Sequence, residues 1–193
     1  MERVTFNMTG DWLSAAEALL DEHHVVATAA DMPPRLKFGA NLFQHIQRLA
    51  DAQVCPIYGS YVKSLADVTR MISLSVPVAG PIDPTLEALT EALRHRYHQS
   101  TRRRYIVWHE AHVFAEAQPE LFWQTVDVMM GVAAEHEYAS EEKLLLTRCV
   151  FIGEPSLLDF RGFGGWWPEG QSQPLWQVVS GQAVPPTLGV TLK

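Results

Sequence analysis

Apolar residues fall along this chain in two rhythms. Short continuous runs at residues 24–30, 53–58, 105–108 and 144–152 read as strands buried on both faces, and a weaker one lies at residues 4–7. Between them, apolar positions recur at helical spacing. Trp12, Ala15, Ala16, Leu19 and Leu20 form one face of a helix over residues 12–20, which Asp11 can cap. Leu42, Phe43, Ile46, Leu49 and Ala50 predict a helix over residues 40–50. Ser64 with Asp67 resembles a capping box, with Asp for the usual Glu, opening a helix that carries Leu65, Val68, Met71 and Ile72. Asp83 followed by Pro84 predicts the next start, with Leu86, Leu89, Leu93 and Tyr97 buried. Pro119 opens another, whose face is Phe122, Val126, Met129, Met130 and Ala133. Pro33 and Pro34 predict a loop over residues 32–37, and residues 76–84 read as a second proline-rich loop. After Gly153 the rhythm is lost: residues 161–174, rich in Gly, Trp and Pro, read as irregular. A last strand is expected at residues 176–180 and a loose end from Gln182.

Strands alternating with helices predict βαβ units and a three-layer α/β fold, a mostly parallel sheet flanked by helices. The strands near Val25, Val54, Ile106 and Val150 are expected to lie parallel in one sheet, with the very apolar Ile106 strand at its centre. The expected organisation is an α/β domain over residues 1–160 and an irregular extension over 161–193 packing on it. Ligands in such sheets bind beyond the carboxyl ends of strands, which selects the segments after Ala30, Tyr58, Trp108 and Ile152.

A formal net charge of −7 argues against bulk attraction to nucleic acid or acidic membranes. The charge is uneven, however. Arg94, Arg96, Arg102, Arg103 and Arg104 crowd one stretch beside His95 and His98, either as a solvated helix end or as a phosphate-contact patch. Cys55 and Cys149 sit in apolar runs and are expected to be buried, reduced thiols. No basic segment leads into an apolar stretch at the N-terminus, and no run is long enough to span a bilayer, so the expectation is a cytoplasmic protein without membrane contact.

Three segments share an order with a known family. YIVWHEAH at residues 105–112 resembles the Walker B segment of P-loop NTPases, where an apolar strand ends in Asp-Glu-Ala-His. LTRCVFIGEPSLLDF at residues 146–160 resembles the next strand and turn of AAA+ ATPases, as found in the secretion and transposition ATPases. VCPIYGSYVKSLADVTRMI at residues 54–72 resembles the second strand and helix of the same group. The resemblance implies a P-loop-type fold over roughly residues 25–160. It also implies a phosphate-binding loop of the form Gly-x-x-x-x-Gly-Lys-Ser/Thr before the residue 40–50 helix, whose glycines let backbone N–H groups reach phosphate. That place holds Asp31-Met32-Pro33-Pro34-Arg35-Leu36-Lys37-Phe38 instead. Lys37 falls at the loop lysine, but the prolines contribute no N–H and Phe38 replaces the magnesium-side hydroxyl. His109 stands where an Asp would help hold magnesium, Glu110 matches the water-activating glutamate, and Glu154 follows the next strand. The helical lid usual in AAA+ proteins has no counterpart in the pattern. The expectation is a non-hydrolysing relative without an ATP or magnesium cofactor. Such a protein would bind or scaffold a protein partner or itself, in DNA transactions or beside an active ATPase.

The competing expectation is an enzyme of another class built on His109, Glu110, His112 and Glu154, with His109 and His112 holding a metal and His136 as the candidate third ligand. The histidines of HEAH are three apart, and so do not reproduce the His-Glu-x-x-His spacing of zinc helices. Otherwise His112 is expected to pack under the sheet edge with its ring N–H bonded to backbone. No Gly-x-Ser-x-Gly is present, and neither cysteine has electropositive surroundings. Phe163, Trp166, Trp167 and Trp176 read either as a partner-binding patch or as a flap on the domain's own core.

Overall fold

The structure, a computed structural model, describes residues 2–8, 12–76, 80–95, 101–138, 145–159 and 187–193. Among these residues six strands form one all-parallel sheet: β1 (Glu2–Phe6), β2 (His24–Thr28), β3 (Ala52–Tyr58), β4 (Arg103–His109), β5 (Leu146–Gly153) and β6 (Thr187–Leu192), in the order β1-β6-β2-β5-β4-β3. The strands expected near Val25, Val54, Ile106 and Val150 are therefore parallel neighbours, with Val25 opposite Val150, Val107 opposite Val150, and Val54 opposite Tyr105.

The helices are α1 (Trp12–Glu22), α2 (Met32–Arg48), α3 (Leu65–Ser75), α4 (Leu86–Arg94), α5 (Ala111–Ala117) and α6 (Pro119–Tyr138). They divide the core in two. Trp12, Ala16 and Leu20 of α1, with Phe38, Leu42 and Ile46 of α2, pack on Val25, Ala27, Val107, Val150 and Ile152. Helices α3 to α6 pack on the alternate residues Val26, Cys55, Ile57, Ile106, Trp108, Cys149 and Phe151. Strand alternation sends neighbouring side chains to opposite layers, so both faces of the sheet are covered and its strands read as unbroken apolar runs. Trp108, Phe114, Phe122 and Phe151 form the aromatic centre of the second layer. Among the described residues no helix is long and apolar enough to cross a membrane.

Several expectations are corrected. The Ile106 strand β4 is not central; it lies one in from the edge, and β2 and β5 hold the middle. The reason is β6, which pairs with both β1 and β2 and extends the sheet where a loose end was expected. Helix α2 begins at Met32 and takes in the segment read as a loop, so Lys37 is helical. Pro33 and Pro34 sit in the first turn, where N–H groups have no helical partner and proline costs nothing. Helix α4 is capped by Thr85, whose hydroxyl accepts from the Ala88 N–H at 3.1 Å, rather than by Asp83. Helix α5 has no counterpart in the sequence reading. The Ser64 cap is present: its hydroxyl accepts from the Asp67 N–H, and Asp67 in turn accepts from the Lys63 N–H at 3.0 Å. Pro56 is accommodated because, among the described residues, β3 is an edge strand paired only with β4. The expected strand at 176–180, the segment 161–174 with its aromatic cluster, Arg96 and Tyr97 lie outside the described residues.

Candidate functional site

The order β2-β5-β4 brings three strand ends side by side, and the turn after each carries chemistry. After β2 the chain makes a short turn at residues 29–31 and enters α2, which projects Arg35 back over the strand ends. Arg35 is almost wholly buried, at 3% exposure. Its Nη1 donates to the carbonyls of Ala29 at 2.7 Å and Ala30 at 3.0 Å. Its Nε donates to Glu110 Oε1 at 3.2 Å, and Nη2 lies 3.5 Å from Glu110 Oε2 and 3.7 Å from Glu154 Oε1. The guanidinium thus ties the turn after β2 to the residues that follow β4 and β5, with its donors directed at acceptors of the protein itself.

Glu110 reaches this position through an unusual backbone. With φ 51° and ψ 39° it is in the left-handed region, where it heads α5 without capping it through its side chain. A residue with a Cβ pays about 1–2 kcal/mol for that conformation. The tight approach of Gly59 is the other half of the geometry, since a Cβ there would fall on the Glu110 carbonyl. His112, in the first turn of α5, places Nε2 at 3.8 Å from Glu110 Oε2 and 3.6 Å from Glu154 Oε1. Among the described residues its Nδ1, which lies against Gly153, has no hydrogen-bond partner, so the ring faces two carboxylates rather than bonding backbone as expected.

The structure therefore brings together Glu110, His112 and Glu154, and adds Arg35, from the segment that the prolines predict to be a loop. The signal for it was the proline pair, which marks a helix start and puts Arg35 in the first turn, over the strand ends. Lys37 goes elsewhere: it is exposed, and its Nζ reaches the Met8 carbonyl at 3.5 Å. His109 also leaves the cluster. Its ring stacks on Tyr58, with centroids 5.3 Å apart and planes at 16°, and it packs so closely against α2 that a Cβ on Gly39 would strike it. Burial lowers the His109 pKa, with Glu110 opposing, so the imidazole is held toward its neutral form. Among the described residues no group of three or more His, Cys, Asp or Glu side chains is placed to hold a metal ion.

Beside the Arg35 network, a cleft of about 560 Å³ opens between α2 and the ends of β3 and β4. Leu36, Phe43, Gln44 and Gln47 line it from the helix, Tyr58 and His109 from the strand ends, and Ser60 from the turn after β3. Of the arginine stretch, Arg102 is exposed, and three others are engaged within the domain. Arg94 forms a two-bond pair with Glu135 at 2.6 Å for each bond. Arg104 is fully buried and bonds the carbonyls of Leu93 and His95. Arg103 lies near Glu17 and Asp51. Cys55 and Cys149 are buried and unpaired, and burial pushes their thiols up to about 11 and about 12.

No family model and no curated protein sequence matches the chain. Solved structures do share its fold. A chain in the structure of Drosophila ORC bound to GC-rich DNA and Cdc6 superposes with a TM-score of 0.52 at 12% identity, over 93% of this chain and 27% of that one. A chain in the structure of Drosophila ORC bound to AT-rich DNA and Cdc6 gives 0.51 at 12% identity, over the same shares. This chain thus spans about a quarter of the length of those neighbours. The parallel sheet with helices on both faces is a three-layer α/β fold that this chain shares with those ORC chains.

Proposed function

We propose that this is a P-loop-like domain that does not hydrolyse nucleotide and works as a binding or scaffolding protein. The observation that carries the reading is Arg35. In a working phosphate site, the turn from the first inner strand into its helix offers backbone N–H groups to an anion. Here that turn offers carbonyls, from Ala29 and Ala30, and a buried guanidinium already holds them. A phosphate entering would have to displace Arg35 and then meet Glu110 and Glu154. Each charge-assisted hydrogen bond is worth roughly 1.5–3 kcal/mol, so lacking three of them costs on the order of 5 kcal/mol, over a thousandfold in affinity.

The partner is a protein rather than a nucleic-acid backbone. Arg94, Arg103 and Arg104 are engaged with carboxylates and carbonyls within the domain, which weakens the phosphate-contact reading of the arginine run. The fold neighbours belong to complexes bound to DNA, which supports a place in DNA transactions through protein contacts. An enzyme using His112 with the carboxylates is less well supported, because Arg35 occupies Glu110. Calorimetry with Mg·ATP on the full chain tests the proposal. No saturable heat is expected, and a low-micromolar Kd would overturn it.

A further inference from the structure

We infer that the cleft between α2 and the ends of β3 and β4 binds an uncharged planar heteroaromatic ring of nucleobase type. The cleft lies beside the Arg35 network and shares only Glu110 with it, so the inference stands or falls apart from the proposal on hydrolysis.

Its size suits a small ligand, since pockets for such molecules run to roughly 300–1,000 Å³. It also lies beyond the carboxyl ends of parallel strands, where ligands of open α/β sheets are found. The chemistry of the walls narrows the class. Tyr58 already stacks on His109 and remains 42% exposed, so this pair is a preformed platform to which a further ring can add. Stacking onto such a ring is indifferent to which base is offered, because every base has a π-face. Phe43, half-buried, supplies a further aromatic wall. Gln44 and Gln47 lie three apart on α2 and both line the cleft. Each carboxamide presents a donor and an acceptor side by side, the pattern that matches the edge of a purine or pyrimidine. The Ser60 hydroxyl adds a group that can do either.

The same walls argue against charge on the ligand. None of the lining residues is Lys or Arg, and the one formal charge is the Glu110 carboxylate, already paired with Arg35, so the walls offer phosphate no cation of their own. Burial keeps the His109 imidazole toward its neutral form, so the platform supplies no compensating cation. A nucleoside or free base fits this set of groups, and its phosphorylated form does not.

The test is titration of the full chain with adenosine, guanosine and cytidine, followed by NMR of the tyrosine ring and amide signals, with the 5′-monophosphates run in parallel. Saturable binding of at least one nucleoside is expected, with the monophosphate weaker. Tyr58→Ala should weaken binding about tenfold or more, the usual effect of removing a stacking ring, while Tyr58→Phe should retain it. Gln47→Ala, at an exposed helical position that leaves the core intact, should weaken the preferred base and narrow the difference between bases. No saturable binding of any nucleoside at millimolar concentration would overturn the inference. So would tighter binding of the monophosphates, or binding unchanged by both Tyr58→Ala and Gln47→Ala.

Discussion

Replacing Arg35 with Met should destabilise the protein by about 3 kcal/mol, at the lower end of the roughly 3–5 kcal/mol for breaking a buried pair. The structure sets the figure. Methionine fills much of the apolar stem's space, so little of the cost is a cavity. What is lost is the guanidinium, and two carboxylates and two carbonyls then face a vacancy. Glu110 retains 18% side-chain exposure and Glu154 47%, so both carboxylates can recover some hydration, which keeps the cost low in that range. The Ala29 and Ala30 carbonyls lose donors at 2.7 and 3.0 Å and have less recourse. For a chain of this size about 3 kcal/mol lowers Tm by roughly 6–12 °C. Urea unfolding of Arg35→Met, Glu110→Gln and the double variant completes the measurement. With Arg35 gone, neutralising Glu110 should be close to neutral, giving a coupling energy above about 1 kcal/mol between contacting groups. A single-variant cost below about 1 kcal/mol at unchanged m-value, or strict additivity in the cycle, would refute the view that Arg35 closes this site.

Acid should destabilise the fold before carboxylates titrate. His24, fully buried, is pushed down to about 3 by burial and then by Arg148, and its Nδ1 accepts from the Cys149 N–H at 3.1 Å; His136 is pushed down to about 4 by burial and then by Arg104. The unfolded chain takes up these protons near pH 6.5 and the folded chain does not, so stability is full above that pH and falls below it, by about 2 kcal/mol per residue at pH 5. Urea midpoints at pH 7 and 5 check this, and a His24→Asn variant with an undiminished pH dependence would count against it. Gly59→Ala should cost more than about 2 kcal/mol, because the added methyl meets the Glu110 backbone carbonyl, which cannot rotate away; a thermal melt equal to that of the parent would contradict the packing. Cys55 and Cys149 should resist a thiol reagent in native protein and react in denaturant, since burial holds both as protonated thiols; stoichiometric native labelling would show the core opening there.

Local pattern was enough for the layered α/β architecture. The apolar runs around Val25, Val54, Ile106 and Val150 needed cover on both faces, and the amphipathic stretches between them could supply it, so a parallel sheet followed from burial alone. Likewise Ser64 with Asp67 announced a helix start, because a cap is made within a few residues of sequence. Strand order could not be read this way. Residues 187–192 join the sheet through pairing with β1 and β2, a contact across nearly the whole chain with no local signature beyond a short apolar run. Their arrival moves β4 away from the centre. The site divides along the same line. Glu110, His112 and Glu154 were visible because each follows an apolar strand, where ligands of such sheets gather. That Arg35 would lie among them, and that His109 and Lys37 would not, depended on where α2 begins and how it crosses the strand ends. Two prolines read as a loop are, in the folded chain, the first turn of that helix. The difference places a guanidinium, rather than an open anion-binding turn, over the carboxyl ends of β2, β5 and β4.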